Sequence, residues 1–417
     1  MKSHRTFSIS YFALFAIYGV ATPYLQILLR NLGYGPAAVG LFLSLFEIVG
    51  IVGPLVLARL ADGMGRKREA LALSAVLILV SLPGLAFRAP AWVTGLALAV
   101  FALGLKTLVP VMDSEGISFA QASGRATSYG SMRVMGSLGF MAAALGLQAF
   151  PAFAGGPPWA IALALAATTI AFLATMPLLG RREKPSAPDA PVAQAARATR
   201  ATASAMGETK TRTSHPVEPG PATATGTPKE TRRFDPVFAL GLVIMALGRF
   251  SIAPISSFIS IWASEELRFP AVGLVWAIAA ASEIPLMLLA SRIIPKTGTM
   301  GAIAISSLAL VARLCIYAFV PTAAGLIIGQ LLHSLCFGLF QPAAVGFVAE
   351  RVPPERRATG MAIYSGLGVG LPAVLGSALG GIVIEAAGYR ALFLSFTGFA
   401  LASLVLFAIT RKRFLRA

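Results

Sequence analysis

The sequence predicts an all-α polytopic membrane protein, with twelve transmembrane helices in two pseudo-symmetric six-helix bundles. Three observations predict it. Hydrophobic residues make up 57% of the chain and charged residues only 12%, against roughly 25% charged in a soluble domain. Apolar runs long enough to cross a bilayer, about 20 residues each, recur from end to end. Basic residues are dense in every second loop and sparse in the others, as they are where cytoplasmic loops retain Lys and Arg.

The first six spans are expected at 7–29, 37–58, 70–87, 92–119, 127–149 and 158–179. The first lacks a small-residue cleavage site after a short apolar region, so it reads as a retained helix and not a signal peptide. The second carries Glu47, the fourth Lys106, Asp113 and Glu115, and the fifth Arg133 with Gly130 and Gly136. Residues 181–234 are rich in Ala, Thr, Pro, Lys and Arg and have no apolar face, so a disordered cytoplasmic linker is expected there. It separates an N-terminal bundle, 1–180, from a C-terminal bundle, 235–417.

The last six spans are expected at 236–264, 270–290, 300–320, 322–349, 358–384 and 390–410. The seventh carries Arg249, the eighth Glu283 beside Pro285, the ninth Arg313 and the tenth His333. The eleventh holds Gly366, Gly368, Gly370, Gly376, Gly380 and Gly381, which suit close helix contacts and bending. Cys315 and Cys336 both fall inside spans, where isolated cysteines act as small apolar packing residues. No disulfide framework or metal-ligand spacing is present in the sequence.

The net charge of +17 would suggest nucleic acid for a soluble protein. Its placement argues otherwise. Of 34 Lys and Arg residues, 26 fall at the termini or in the even-numbered loops, and only Arg30, Arg88, Arg268 and Arg390 fall in or beside the others. Both termini are therefore expected in the cytoplasm, with the chain in a bacterial-type inner membrane. The surplus charge sets topology and favours anionic lipid headgroups over nucleic acid.

The halves look duplicated. Gly40–Leu41, Arg59 and Gly65 recur as Gly273–Leu274, Arg292 and Gly298, at a shift of 233, and Arg125-Ala126-Thr127 recurs as Arg357-Ala358-Thr359, at 232. A nearly constant shift across separate loops marks an internal repeat. Such repeats are a transporter architecture with a substrate site between the halves.

The loop after the second span reads Ala58-Arg59-Leu60-Ala61-Asp62-Gly63-Met64-Gly65-Arg66-Lys67-Arg68. It resembles the signature loop of the major facilitator superfamily, although Ala58 replaces the first glycine and Gly63 the first basic residue of that pattern. The resemblance implies that Asp62, Gly65, Arg66 and Lys67 form a cytoplasmic gate. Tyr11-Phe12, Arg133 through Phe140, Glu283-Ile284-Pro285 and His333 through Phe340 resemble the branch that contains phenylpropionate permeases, with lactose permease a more distant relative. That resemblance implies proton-coupled uptake of a small organic solute, an aromatic or other organic acid among the candidates.

Nine ionisable residues fall inside the spans: Glu47, Lys106, Asp113, Glu115, Arg133, Arg249, Glu283, Arg313 and His333. Each costs at least about 2.5 kcal/mol at mid-bilayer, so they are expected to face the interior. Glu47, Asp113, Glu115 and Glu283 are the candidate proton carriers. Asp113 is expected to pair with Arg133, and Glu47 and Glu283 to confront one cavity from opposite halves. Arg249 is the foremost candidate for a substrate anion, Lys106 the second, and His333 a candidate proton carrier. Arg313 is read as structural. Tyr11, Phe15, Tyr18 and Trp276 are candidates to pack against an apolar substrate body.

No phosphate-binding loop, zinc-protease motif or matched nucleophile is recognisable in the sequence, so neither an enzyme nor an ATP-driven pump is indicated. No cofactor is expected beyond a proton gradient. The expected function is proton symport of a small solute by a monomer using alternating access. A proton-coupled exporter of amphipathic compounds, a sugar or nucleoside symporter, and a non-transporting membrane sensor or assembly factor are the alternatives. Gly136–Gly139 lacks the Gly-Pro pair that marks many superfamily antiporters, which favours symport.

Overall fold

The computed structural model describes residues 4–64, 67–122, 128–150, 157–179 and 235–415, and its described secondary structure is entirely helical. The first half contains α1 (His4–Asn31), α2 (Pro36–Met64), α3 (Lys67–Ala86), α4 (Ala91–Ala122), α5 (Ser128–Gln148) and α6 (Pro158–Thr175). The second contains α7 (Pro236–Glu265), α8 (Val272–Thr297), α9 (Thr299–Phe319) and α10 (Ala323–Arg351). A last apolar stretch, Thr359–Phe414, divides at Gly388, whose φ of 78° no helix tolerates; we label its parts α11, 357–387, and α12, 389–415. The expected linker, 181–234, lies outside the described residues.

By length and composition, nine described stretches are apolar enough to span a bilayer, or ten with the bent α8. The difference from twelve has two physical sources. α11 and α12 form one 56-residue stretch until Gly388 divides it. α5 trades leucines for glycine, serine and Arg133 because it packs tightly along α1. Gly139 of α5 lies against the backbone of Phe12, and Gly19 of α1 against the backbone of Phe140. In lipid such backbone proximity, more than apolar burial, holds helices together.

The outer surface fits a membrane. Val80, at 68% exposed, is one of many large apolar side chains that face outward, with Leu96, Leu163 and Ile170 among the others. A soluble monomer does not expose apolar surface on this scale.

Three local departures from helical regularity matter for the site. α8 bends by 62° between Met287 and Leu289, just beyond Pro285, which removes a backbone donor and crowds the preceding turn. α10 passes through a π turn at Ser334–Leu339 and α11 through another at Tyr364–Gly370. Such turns are frequent at functional positions.

The halves meet along two matching seams. In one, α2 crosses α11: Gly40 faces the Ser377 carbonyl, and Ser44 Oγ donates to the Val374 carbonyl at 2.8 Å. In the other, α5 crosses α8: Gly273 faces the Ala144 carbonyl, and Gln148 bonds both the Pro270 carbonyl, at 2.6 Å, and the Gly273 amide, at 3.1 Å. A third contact joins α1 to α7. Arg30 grips both Glu265 carboxylate oxygens, at 2.8 and 3.1 Å. Among the described residues, the polar ties beyond the middle of these helices lie where α1 ends and α2 begins, the end of the molecule opposite the termini.

Candidate functional site

A cavity of about 230 Å³ lies between the halves. Tyr18, Thr22 and Gln26 reach it from α1, Phe46 and Glu47 from α2, and Lys106 from α4. The other half supplies Arg249, Ser256 and Ser257 from α7, Trp276 from α8, and Val369 and Ser377 from α11. The walls are mainly apolar with a few convergent polar groups, the usual character of a small-molecule site.

Two cations sit on this wall, in different states. Lys106 Nζ bonds both Glu47 oxygens, at 2.9 and 3.0 Å, and lies 4.6 Å from the centre of the Phe46 ring. The lysine stem crosses Gly50, where any side chain would collide with it, so the α2 backbone itself sets the lysine's path. Arg249 has no carboxylate partner among the described residues. Its Nη1 is buried without a hydrogen-bond acceptor. Its guanidinium carbon stands 5.2 and 5.4 Å from the Phe337 and Phe340 rings, contacts that steady the charge without consuming its donors. A buried, unmet guanidinium donor beside a cavity leaves an N–H that a carboxylate oxygen can accept from.

Behind the second half's wall runs a chain of polar side chains. Arg313, 1% exposed, donates to Tyr317 Oη at 3.0 Å, Gln330 Oε1 at 2.8 Å and His333 Nδ1 at 2.9 Å. A guanidinium only donates, so His333 Nδ1 accepts and the ring proton sits on Nε2. That nitrogen is 2.8 Å from Glu283 Oε1 and donates to it. His333 is thus neutral in this arrangement, and links Arg313 on α9 to Glu283 on α8. The π turn begins at the next residue, Ser334.

Comparison with known proteins agrees with this architecture. Residues 4–395 match the MFS_1 like family. The chain belongs to that family. It is an integral membrane transporter, not an enzyme. Maltose permease of Geobacillus stearothermophilus is 27% identical over 415 residues, covering 98% of this chain and 94% of that one. The probable 3-phenylpropionic acid transporter of Escherichia coli (strain K12) is 24% identical over 374 residues, covering 89% and 88%. The crystal structure of the nucleoside transporter NupG (D323A mutant) superposes with a TM-score of 0.76 at 16% identity, covering 97% of this chain and 99% of that one.

Within the MFS_1-like chain, the residues singled out by sequence separate into four groups. Glu47, Lys106 and Arg249 come together at the cavity. Asp113 and Arg133 face each other at 3.7 Å, with Tyr11 Oη donating to Asp113 at 2.9 Å and Arg133 stacked 4.0 Å from the Phe15 ring. That pair ties α4, α5 and α1 away from the cavity wall. Glu283 and His333 form the second-half relay, and neither lines the cavity, so Glu283 does not confront Glu47 across it. Lys67 bonds Ser114 Oγ at 2.6 Å and lies 3.9 Å from Glu115, which joins α3 to α4. Gly65, Arg66 and the Asp62 side chain lie outside the described residues. Of the candidate aromatics, Tyr18 and Trp276 line the cavity.

Sequence reading missed Gln26. Its amide spans a single helical repeat of α7, with Nε2 donating to the Ser256 carbonyl at 3.0 Å and Oε1 accepting from the Ser260 amide at 3.3 Å. Those two backbone groups are the natural partners of one helical turn. Ser260 Oγ in turn accepts from Trp276 Nε1 at 2.9 Å. The available signal was a lone amide deep in an otherwise apolar span.

Proposed function

We propose that this MFS_1-like protein is a secondary active transporter that moves a small organic anion across the bacterial inner membrane, in symport with protons. The observation that carries this reading is Arg249: a permanent cation on the wall of the cavity between the halves, with a buried donor unmet by any described group. A neutral solute leaves its charge uncompensated in a medium that penalises charge heavily. A carboxylate answers both the charge and the bidentate geometry of a guanidinium. Phe46, Leu43, Ile252 and Trp276 provide apolar wall for the rest of such a solute. The cavity is small against the roughly 300–1,000 Å³ of typical ligand pockets, which favours a compact molecule on the scale of one ring and a short chain. The acid in the name of the Escherichia coli relative supports the same class.

With both termini cytoplasmic, the orientation that the basic loops favour, the tied end of the molecule is the outer one. An outer end held by these ties fits a stage of alternating access that is closed toward the outside. Loosening the α1–α7 and α5–α8 ties would open the cavity to the outside.

A second reading has one observation in its favour. Thr22, Gln26, Ser256, Ser257 and Ser377 offer the hydroxyl and amide groups that a sugar would use, and maltose permease is a relative over nearly the whole chain. One experiment separates the two. Proteoliposomes with an imposed inward proton gradient are offered labelled 3-phenylpropionate, maltose and uridine. Accumulation of 3-phenylpropionate that collapses with an uncoupler supports the anion symporter. Accumulation of maltose or uridine alone overturns it, and flux that runs only outward replaces symport with export.

A further inference from the structure

We propose that Glu47 and Lys106 form a proton-operated latch in the cavity wall: a proton taken up by Glu47 releases Lys106 to serve, beside Arg249, as second cation for the bound carboxylate. This rests on the anion reading above and goes further, naming the acid that couples and the route by which coupling arises.

Among the described residues, the cavity wall holds one free cation and one that is occupied. Arg249 has no counter-ion among them, while both oxygens of Glu47 engage the Lys106 ammonium. Among the described residues, few groups face Glu47. Tyr18 comes from α1, with its hydroxyl donating to the Leu105 carbonyl at 2.7 Å; Lys106 comes from α4 and Arg249 from α7. α8 contributes Trp276 to this cavity, and α11 contributes Val369, Ala373 and Ser377, none of them ionisable in the physiological range. Lys106 is therefore the close partner on which the charge of Glu47 depends.

The physical consequence is a linkage. An anion entering beside Arg249 competes with Glu47 for the Lys106 ammonium. As Lys106 turns to it, Glu47 loses its counter-ion and gains a second negative charge nearby, and both changes favour its protonation. The proton comes from water in the cavity and ends on a Glu47 oxygen, which stops being a strong acceptor for the ammonium. Reciprocally, a protonated Glu47 presents the anion with two cations in place of one. The flexible lysine stem and its rotating donors permit the exchange without backbone movement.

The charge count gives the reason for coupling. With the latch closed and the cavity empty, Glu47, Lys106 and Arg249 sum to one positive charge. With a proton and a monoanion both bound, the sum is again one positive charge. A proton alone leaves two uncompensated cations in the chamber, which the low dielectric opposes. The empty and fully loaded carriers therefore match in charge, and the half-loaded carrier with the proton alone does not.

The test is calorimetry on the purified full-length protein, with 3-phenylpropionate as probe and neutral 3-phenylpropionamide as control, in buffers of different ionisation enthalpy. The wild-type protein is expected to take up about one proton per anion bound, as reciprocal linkage requires, and to prefer the acid to the amide, as the cation on the wall requires. Glu47→Gln is expected to bind the acid with no proton uptake and with an affinity independent of pH. Adding Lys106→Gln to Glu47→Gln should weaken binding by about tenfold or more, the scale of one charge-assisted hydrogen bond. Proton uptake that persists in Glu47→Gln, or a double variant that binds as tightly as Glu47→Gln, overturns the latch and leaves the anion site standing. An amide that binds the wild-type protein as tightly as the acid overturns the anion reading, and the latch with it.

Discussion

Gly40 on α2 and Gly273 on α8, separated by 233 residues, occupy matching seats at opposite seams of the molecule. A side chain at Gly40 would enter the Ser377 carbonyl of α11, and one at Gly273 the Ala144 carbonyl of α5. The shift that marks the internal repeat in the sequence is thus realised in space as two equivalent helix crossings. Gly40→Ala and Gly273→Ala should each destabilise the protein by about 1–3 kcal/mol, the cost of overpacking a tight contact. Gly146 on α5 is the control, because nothing stands within 4 Å of its missing Cβ. Gly146→Ala should be neutral or stabilising by up to about 1 kcal/mol, the helix preference of alanine. Thermal unfolding in detergent checks all three. Equal melting temperatures for the seam and control variants would contradict the close crossings.

At the end opposite the termini, Gln26 and Arg30 of α1 hold α7. The ionic tie is partly exposed, with Arg30 and Glu265 side chains at 27% and 41%, so it contributes no more than about 1 kcal/mol. Gln26→Leu removes two hydrogen bonds, but the Ser256 carbonyl and Ser260 amide are partners of one helical turn and can satisfy each other, which again limits the loss to about 1 kcal/mol. Each change should raise the open fraction of this end about fivefold, as 1 kcal/mol requires. Labelling of a cysteine at Ser264 by a water-soluble maleimide, in a background without Cys315 and Cys336, reads that fraction. Unchanged labelling in Gln26→Leu and Glu265→Gln would show that these ties do not hold the end shut.

The relay on the second half makes a separate demand. His333 accepts from Arg313 and donates to Glu283, so His333→Leu leaves two charged groups short of a partner at once. A loss on the order of 3 kcal/mol is expected, from two charged hydrogen bonds removed in a buried setting. Gln330→Leu removes a single acceptor from Arg313 and should cost less. Unfolding measurements on the two variants give the order, and an equal or reversed order would contradict the central position of His333.

Much of this was legible in the sequence, for reasons that individual residues show. Span positions follow from length and apolarity, and the pairing of Asp113 with Arg133 from their shared depth in neighbouring spans. Cross-helix partners were harder. Glu283 and Glu47 stand one turn apart under the repeat, yet Glu47 faces the cavity while Glu283 turns to His333. Helical periodicity fixes a residue's face on its own helix but not the neighbour that face meets. Gln26 escaped notice because an amide in an apolar span reads as packing until its α7 partners are known. Arg313 was read as structural, and its satisfied donors agree, while the unmet donor of Arg249 became visible only with the surrounding rings in place.

The most direct test is counterflow of 3-phenylpropionate through proteoliposomes carrying wild-type protein or Arg249→Gln. Counterflow needs substrate binding and alternation but no net proton movement, so it isolates the anion seat. Arg249→Gln should reduce exchange at low substrate by about 30-fold or more, the factor for losing roughly 2 kcal/mol of charge-assisted bonding. Exchange in Arg249→Gln that matches the wild type would contradict the placement of the substrate anion on Arg249.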